Sequence, residues 1–229
     1  MHVYCINLAR RPDRRARAEA EFFRAGLEVE FFDGTDGWRE SPGDLHITPG
    51  EYGCALSHVR VWRDMVARRH RMALVLEDDV ELSLNFKNKL NEVLEEATLV
   101  PGWDVIFIGY ILPIVHKSVT NGLFEGRALA THSYLISLEC AQKLAVFDPR
   151  LMRVGIDFQL NRFPLKILCT RELLTNQGDD GIIPYTSVLT GDIGTDRTLD
   201  LDFFARLAVQ NARGLMILLV LNFIIKLIR

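Results

Sequence analysis

The sequence predicts an α/β fold built on a central, mostly parallel sheet, and three observations carry that prediction. Residues 72–76 (MALVL) and 103–110 (WDVIFIGY) are apolar runs without alternation, the pattern of strands covered on both faces. A helical segment at about 85–96 lies between them and supplies the crossover that parallel strands need. Residues 133–137, followed by the helical ECAQKLAVF, repeat the strand-then-helix unit.

Taken in order, residues 3–8 (VYCINL) form the first strand, and Pro12 suits the first turn of a helix whose apolar stripe is Ala16, Ala20, Phe23 and Leu27. Arg10, Arg11, Arg14, Arg15 and Arg17 crowd the start of that helix, where the macrodipole already disfavours cations. Either an anion sits there or the arginines form a solvated basic surface. Residues 29–32 read as a second strand, and DGTDGWRESPGD after it as a loop. Thr48, Pro49 and Glu51 match a capping box with proline at the first helical position, so Glu51 has a structural task. The helix they open carries Ala55, Val59, Trp62 and Val66 on one stripe, with His58 beside it; on spacing alone His58 is a packing histidine. Residues 174–196, rich in Gly, Asp and Thr, read as a long surface loop.

The 229 residues, 48% hydrophobic and 25% charged, suffice for one domain, placed at 1–205, with a distinct segment at 206–229. A net charge of −3 argues against a nucleic-acid partner. Cys5, Cys54, Cys140 and Cys169 are far apart and lack a C-x-x-C pair, which fits reduced, mostly buried thiols; no signal peptide is evident, so a cytoplasmic location is expected. Residues 215–225 (LMILLVLNFII) are apolar except for Asn222, and fall short of the roughly 20 residues that span a bilayer. With Arg206, Arg213, Lys226 and Arg229 around it, this segment suits a C-terminal helix in peripheral contact with an anionic membrane, the alternative being a core helix or an oligomer contact.

Residues 73–82, ALVLEDDVEL, place four carboxylates within five positions at the end of a buried strand. Such charge requires compensation. Extended geometry would direct Glu77 and Asp79 to one side and Asp78 to the other, so that a pair faces one ligand in the crevice beyond the strand ends. Oxygen ligands favour Mn²⁺ or Mg²⁺ carrying a diphosphate. A receiver domain would want another aspartate ending the strand at 107–110, and a haloacid-dehalogenase-type phosphatase wants D-x-D-x-T, whereas Asp79 is followed by Val80, Glu81 and Leu82. A sugar-nucleotide transferase with a DXD-like motif remains.

INL followed by PDRR (6–15), DGTDG (33–37), GEYGCALSH (50–58), ALVLEDDV (73–80) and YLIS followed by CAQKL occur here in an order that resembles the family 25 glycosyltransferases, which include lipooligosaccharide galactosyltransferases and relatives acting on collagen. The resemblance runs from Val3 to about Asp157. It implies a GT-A type, Rossmann-like sandwich, a UDP-sugar donor (most often UDP-galactose), a divalent metal and inversion at the anomeric carbon. The implied acceptor is a lipid-linked or surface oligosaccharide of lipopolysaccharide biosynthesis, with a collagen-like hydroxylysine or a non-catalytic nucleotide-sugar module as alternatives. By resemblance Asp79 is the first metal ligand, with Asp78 beside it. Glu77 and Asp78 touch the donor; Asn7, Leu8 and Arg14 open the nucleotide pocket; Asp36 and Gly37 form its next loop; Ser57 and His58 match the SH pair. Asp157 is the candidate base, with Asp179 and Asp180 in reserve. Glu81 is expected outside the site.

Overall fold

The structure, a computed structural model, describes residues 1–178. Strand β1 (His2–Asn7) is followed by helix α1 (Pro12–Ala25), β2 (Glu30–Asp33), the short α2 (Gly37–Glu40), α3 (Pro49–Ala67), β3 (Met72–Glu77), β4 (Val80–Leu82), α4 (Phe86–Thr98), β5 (Val105–Ser118), β6 (Leu123–Ser137), α5 (Leu138–Leu144), a 3₁₀ turn (Pro149–Leu151), α6 (Ile156–Arg162), β7 (Ile167–Thr170) and β8 (Thr175–Gln177). The main sheet has the order β2-β1-β3-β6-β5-β7. Parallel pairing of β2 and β3 with β1, and of β7 with β5, leaves β6 as the strand that runs against the others. The α/β class and the mostly parallel sheet agree with the sequence expectation; the C-terminal helix and the boundary at 205/206 lie outside the described residues.

Alternation along the strands produces two cores. Tyr4, Ile6 and Val75 face α3, packing with Ala55, Val59, Trp62 and Met65. Val3, Cys5, Leu74 and Leu76 face the opposite layer, with Ala18 and Phe22 of α1 and Phe86, Leu90 and Val93 of α4. Ala73 to Leu76 are each 0% exposed, which is why β3 shows no polar alternation. The capping box forms as expected: Thr48 accepts from the Glu51 N–H, and the Glu51 side chain accepts from the Thr48 N–H. All four cysteines are free, and three of them are buried.

Three local expectations change. The inward face of α1 runs through Arg14, Ala18 and Phe22, while Phe23 is 90% exposed and Ala16 and Ala20 face solvent. The expected stripe is the more apolar of the two, yet only Leu27 of it packs against the core, and the face that packs is headed by an arginine that meets a buried carboxylate. Residues 133–137 end a 15-residue strand that runs antiparallel to both β3 and β5, so β5 and β6 form a long ladder with register shifts instead of a third parallel unit. The stretch from residue 174 begins with β8, which pairs with β4 in a small second sheet.

The two helices α2 and α3 meet at glycine. A Cβ on Gly37 would lie 1.7 Å from the Pro49 carbonyl oxygen, and one on Gly53 would lie 2.6 Å from the Gly37 nitrogen. Gly37→Ala is expected to cost roughly 1–3 kcal/mol or to prevent folding, whereas Gly43→Ala, with nothing within 4 Å of its new methyl, stays within about 0.5 kcal/mol; urea midpoints compare them.

Candidate functional site

Strand order reverses at β1, whose neighbours β2 and β3 both run parallel to it, and ligands of open α/β sheets bind beyond the carboxyl ends of strands at such a point. Register then decides which side chains meet. Ile6 pairs with Glu77, so the ends of β1 and β3 bring Asn7 and Asp78 together. Asn7 Nδ2 donates to Asp78 Oδ2 at 2.6 Å and to the Arg11 carbonyl at 3.2 Å. From the first turn of α1, Arg14 Nη1 reaches Asp78 Oδ1 at 3.3 Å and Asp79 Oδ2 at 3.5 Å. Leu8 contributes backbone: its carbonyl accepts from Arg11 N–H at 2.8 Å, closing the turn into α1.

The strand ends at Glu77, and Asp78 and Asp79 form a turn before β4. The extended pairing of Glu77 with Asp79 is therefore replaced. Glu77 reaches toward α3 and β6, while Asp78 and Asp79 share the Arg14 guanidinium. The Asp79 carbonyl accepts from Gly178 N–H at 2.7 Å, which ties the turn to the end of β8. Glu81 is exposed on β4, with its side chain beside Gly178.

Arg14 answers part of the charge question, since it offsets two acids that are themselves 9% and 6% exposed. Burial pushes the Asp78 carboxyl above its ordinary value, although Asn7 and Arg14 pull the other way. Three of the other arginines there also find acids: Arg10 pairs with Asp36, Arg11 with Asp13 and Arg15 with Glu19. The protein's own carboxylates thus resolve much of the charge conflict at the start of α1.

Glu77 lies in a second polar cluster. Its Oε1 receives Thr131 Oγ1 at 3.0 Å and lies 3.3 Å from His58 Nε2. The other ring nitrogen, His58 Nδ1, is 2.9 Å from the Tyr134 hydroxyl, which accepts from Trp62 Nε1 at 2.9 Å. His58 is 1% exposed. It is both a packing residue and a partner of the acid motif. Burial works against the Glu77 carboxylate, but His58, His132 and Thr131 outweigh it and hold the group below its ordinary range.

The other candidates brace these clusters. Ser57 Oγ accepts from Thr35 N–H at 2.8 Å and donates to the Gly53 carbonyl at 2.7 Å, fastening the loop after β2 to α3. Asp36 caps α2 through Trp38 N–H, and Gly37 allows the close approach to α3. Asp157, in the first turn of α6, accepts from its neighbour Phe158 N–H at 2.8 Å and from Ala130 N–H at 3.3 Å. Ala130 has a φ of 79°, so this carboxylate steadies a strained bend in β6. Burial raises the Asp157 pKa, and the nearby carboxylates Glu51 and Glu77 add to the shift. Asp179 and Asp180 lie outside the described residues. Sequence reasoning missed Thr131, Tyr134 and the polar role of Trp62; a tyrosine inside an apolar strand was the available signal, because a buried hydroxyl requires a partner.

A divalent ion fits part of this arrangement. Asp78 and Asp79 are hard oxygen donors of the kind that a divalent ion takes together with the phosphates of a substrate, and both also meet Arg14. One donor atom from each of Cys54, His58 and Glu77 lies within 4.8 Å of the others, but this sulfur, nitrogen and oxygen set suits zinc better than Mn²⁺ or Mg²⁺.

Residues 1–110 match the family model described as glycosyltransferase family 25 (LPS biosynthesis protein). A glycosyltransferase 25 family member of Aedes aegypti is 36% identical over 179 residues, covering 68% of this chain and 30% of the relative. Procollagen galactosyltransferase 2 of Mus musculus is 32% identical, with 64% and 28% covered. An inactive glycosyltransferase 25 family member 3 of Homo sapiens is 30% identical, with 68% and 30% covered. The chain spans about 30% of the length of the curated relatives it matches.

Two measurements probe the clusters. Arg14→Met leaves two buried carboxylates without their guanidinium and is expected to cost about 3–5 kcal/mol in urea unfolding. Asp157 has a folded pKa above its unfolded value, so its favourable contribution is complete below the unfolded value and is lost as pH rises through the folded one. The stability of Asp157→Asn, measured between pH 3 and pH 8, should lack that downward slope.

Proposed function

The chain belongs to glycosyltransferase family 25, and from that premise we propose that it transfers a hexose, galactose in the first instance, from a UDP-sugar to a hydroxyl of a lipid-linked or surface oligosaccharide. The observation that carries this reading is the meeting of Asn7, Arg14 and the Asp78–Asp79 turn at the point where strand order reverses. Asn7 and Arg14 shape the nucleotide side of the cleft. Asp79 is the proposed ligand of Mn²⁺ or Mg²⁺, an ion that would offset charge on the departing UDP. Asp157 is the proposed base for the acceptor hydroxyl: burial raises its pKa, which suits proton removal near neutral pH, and two backbone N–H groups aim it.

A lipid-linked acceptor is favoured by the apolar, basic-flanked tail at 215–229, which lies outside the described residues. We place that tail at an anionic membrane surface on the cytoplasmic side. Among the described residues, no helix is long and apolar enough to cross a membrane. A protein acceptor is the second reading, because relatives named procollagen galactosyltransferase match 64% of this chain. A binding module without turnover is the third, since other relatives are named inactive; the complete Glu77–Asp78–Asp79 motif favours the enzyme.

Purified protein supplied with Mn²⁺ and a panel of UDP-sugars should release UDP, faster with an oligosaccharide acceptor than with water alone. Asp79→Asn is expected to reduce that rate by about 10²-fold or more. Release unchanged in the variant would exclude the assigned role of Asp79, and no release with any donor would exclude the transferase. Truncation after Arg213 should move the protein from vesicles containing anionic lipid to the supernatant in a flotation assay.

A further inference from the structure

The buried column behind Glu77 has a direction, and hydrogen-bond arithmetic supplies it. Trp62 Nε1 is a donor only, so the Tyr134 oxygen accepts at 2.9 Å. The hydroxyl has a single proton to give, and His58 Nδ1 lies 2.9 Å away. Donation to Nδ1 makes that nitrogen the acceptor of a neutral imidazole and puts the ring proton on Nε2. Nε2 faces a carboxylate oxygen, Glu77 Oε1, at 3.3 Å, which can only accept. Any form of the ring with a proton on Nδ1 would deprive the buried tyrosine proton of this acceptor, and the opposite neutral tautomer would also set two lone pairs against each other at Nε2. Trp62, Tyr134 and His58 are each 1% exposed or less, so water does not substitute for any link.

Thr131 donates to the same Oε1, so both donors converge on one oxygen of Glu77, and the side chain keeps 24% of its surface exposed at the strand end. We propose that Tyr134 is a positioning residue: acting through the Nε2–H tautomer of His58, it fixes Glu77 so that its second oxygen, Oε2, accepts a hydroxyl of the sugar in the cleft. This rests on the transferase reading for the identity of the ligand, while the tautomer itself does not. The same geometry assigns His58 to hydrogen bonding and withholds its Nε2 from a metal, although Cys54, His58 and Glu77 stand close enough to suggest one.

Wild-type protein labelled with ¹⁵N-histidine should show His58 as the Nε2–H form, with a pyridine-like Nδ1 shift, with or without substrate. A pyridine-like Nε2 overturns the proposal, as does a cobalt-thiolate absorption band on Co²⁺ titration that disappears in Cys54→Ser. Tyr134→Phe removes the donor at Nδ1 and should move the Nδ1 shift of His58 while the proton stays on Nε2, and lower kcat on the order of tenfold, the scale of one hydrogen bond, with UDP affinity by calorimetry unchanged. Combining it with Glu77→Gln should add nothing to the loss from Glu77→Gln alone; additive losses, or a Tyr134→Phe enzyme with wild-type kcat, refute the coupling. If the wild type turns over no UDP-sugar, the transferase reading fails and the histidine spectrum still decides the direction of the column.

Discussion

The site depends on one electrostatic constraint: Asp78 and Asp79, both nearly inaccessible, need positive charge, and Arg14 supplies it from another element. Carboxylates placed together in a low-dielectric setting repel one another and lose hydration, so a strand end carrying them is unstable without a donor set. Arg14 can reach them because α1 starts immediately after β1, which lies against β3. Asn7 completes the arrangement with a short bond to Asp78. The arginine-headed face of α1, the tight turn through Leu8 and the position of the acid motif are consequences of one requirement.

A second polar element crosses the other core. His58, Trp62 and Tyr134 lie among fully buried apolar side chains of α3, β3 and β6, where each unmade hydrogen bond would cost about 1–3 kcal/mol. Their bonds instead lead outward to Glu77. The EDD motif is therefore divided between two supports, one acidic pair held by α1 and one acid held by α3 and β6. A sheet with helices on both faces makes this division possible, because neighbouring residues at a strand end leave toward opposite layers. The glycine contact between α2 and α3, and Ser57 bridging to Thr35, keep α3 in the register that the second support requires.

Much of the fold was legible from local pattern. Continuous apolar runs identified β1 and β3, and the Thr48–Glu51 capping box located the start of α3, because both signals depend on neighbours within a few residues. The long β5–β6 ladder was less legible: residues 111–118 are largely exposed and carry no buried-strand pattern. Tyr134 read as one more apolar strand residue, since its hydroxyl partners come from α3, more than 70 positions earlier in the chain. Asp157 was found as an acid of interest, yet its tie to the strained Ala130 depends on a bend in β6 that no short window reveals.

By itself the sequence determined the α/β class, the buried character of the strand before EDD, the helix caps and the family to which the motifs point. These follow from composition, periodicity and residue order, all of which are properties of the chain before it folds. Only the tertiary structure decided what each acid meets. The pairing of Ile6 with Glu77 joins residues 71 positions apart, and a shift of one residue would have exchanged the partners of Asp78 and Glu77. Register of that kind is set by the packing of whole layers against the sheet. Charge at the end of ALVLEDDVEL announced that compensation was needed, and packing determined that Arg14 serves one pair of acids while a buried histidine serves the third.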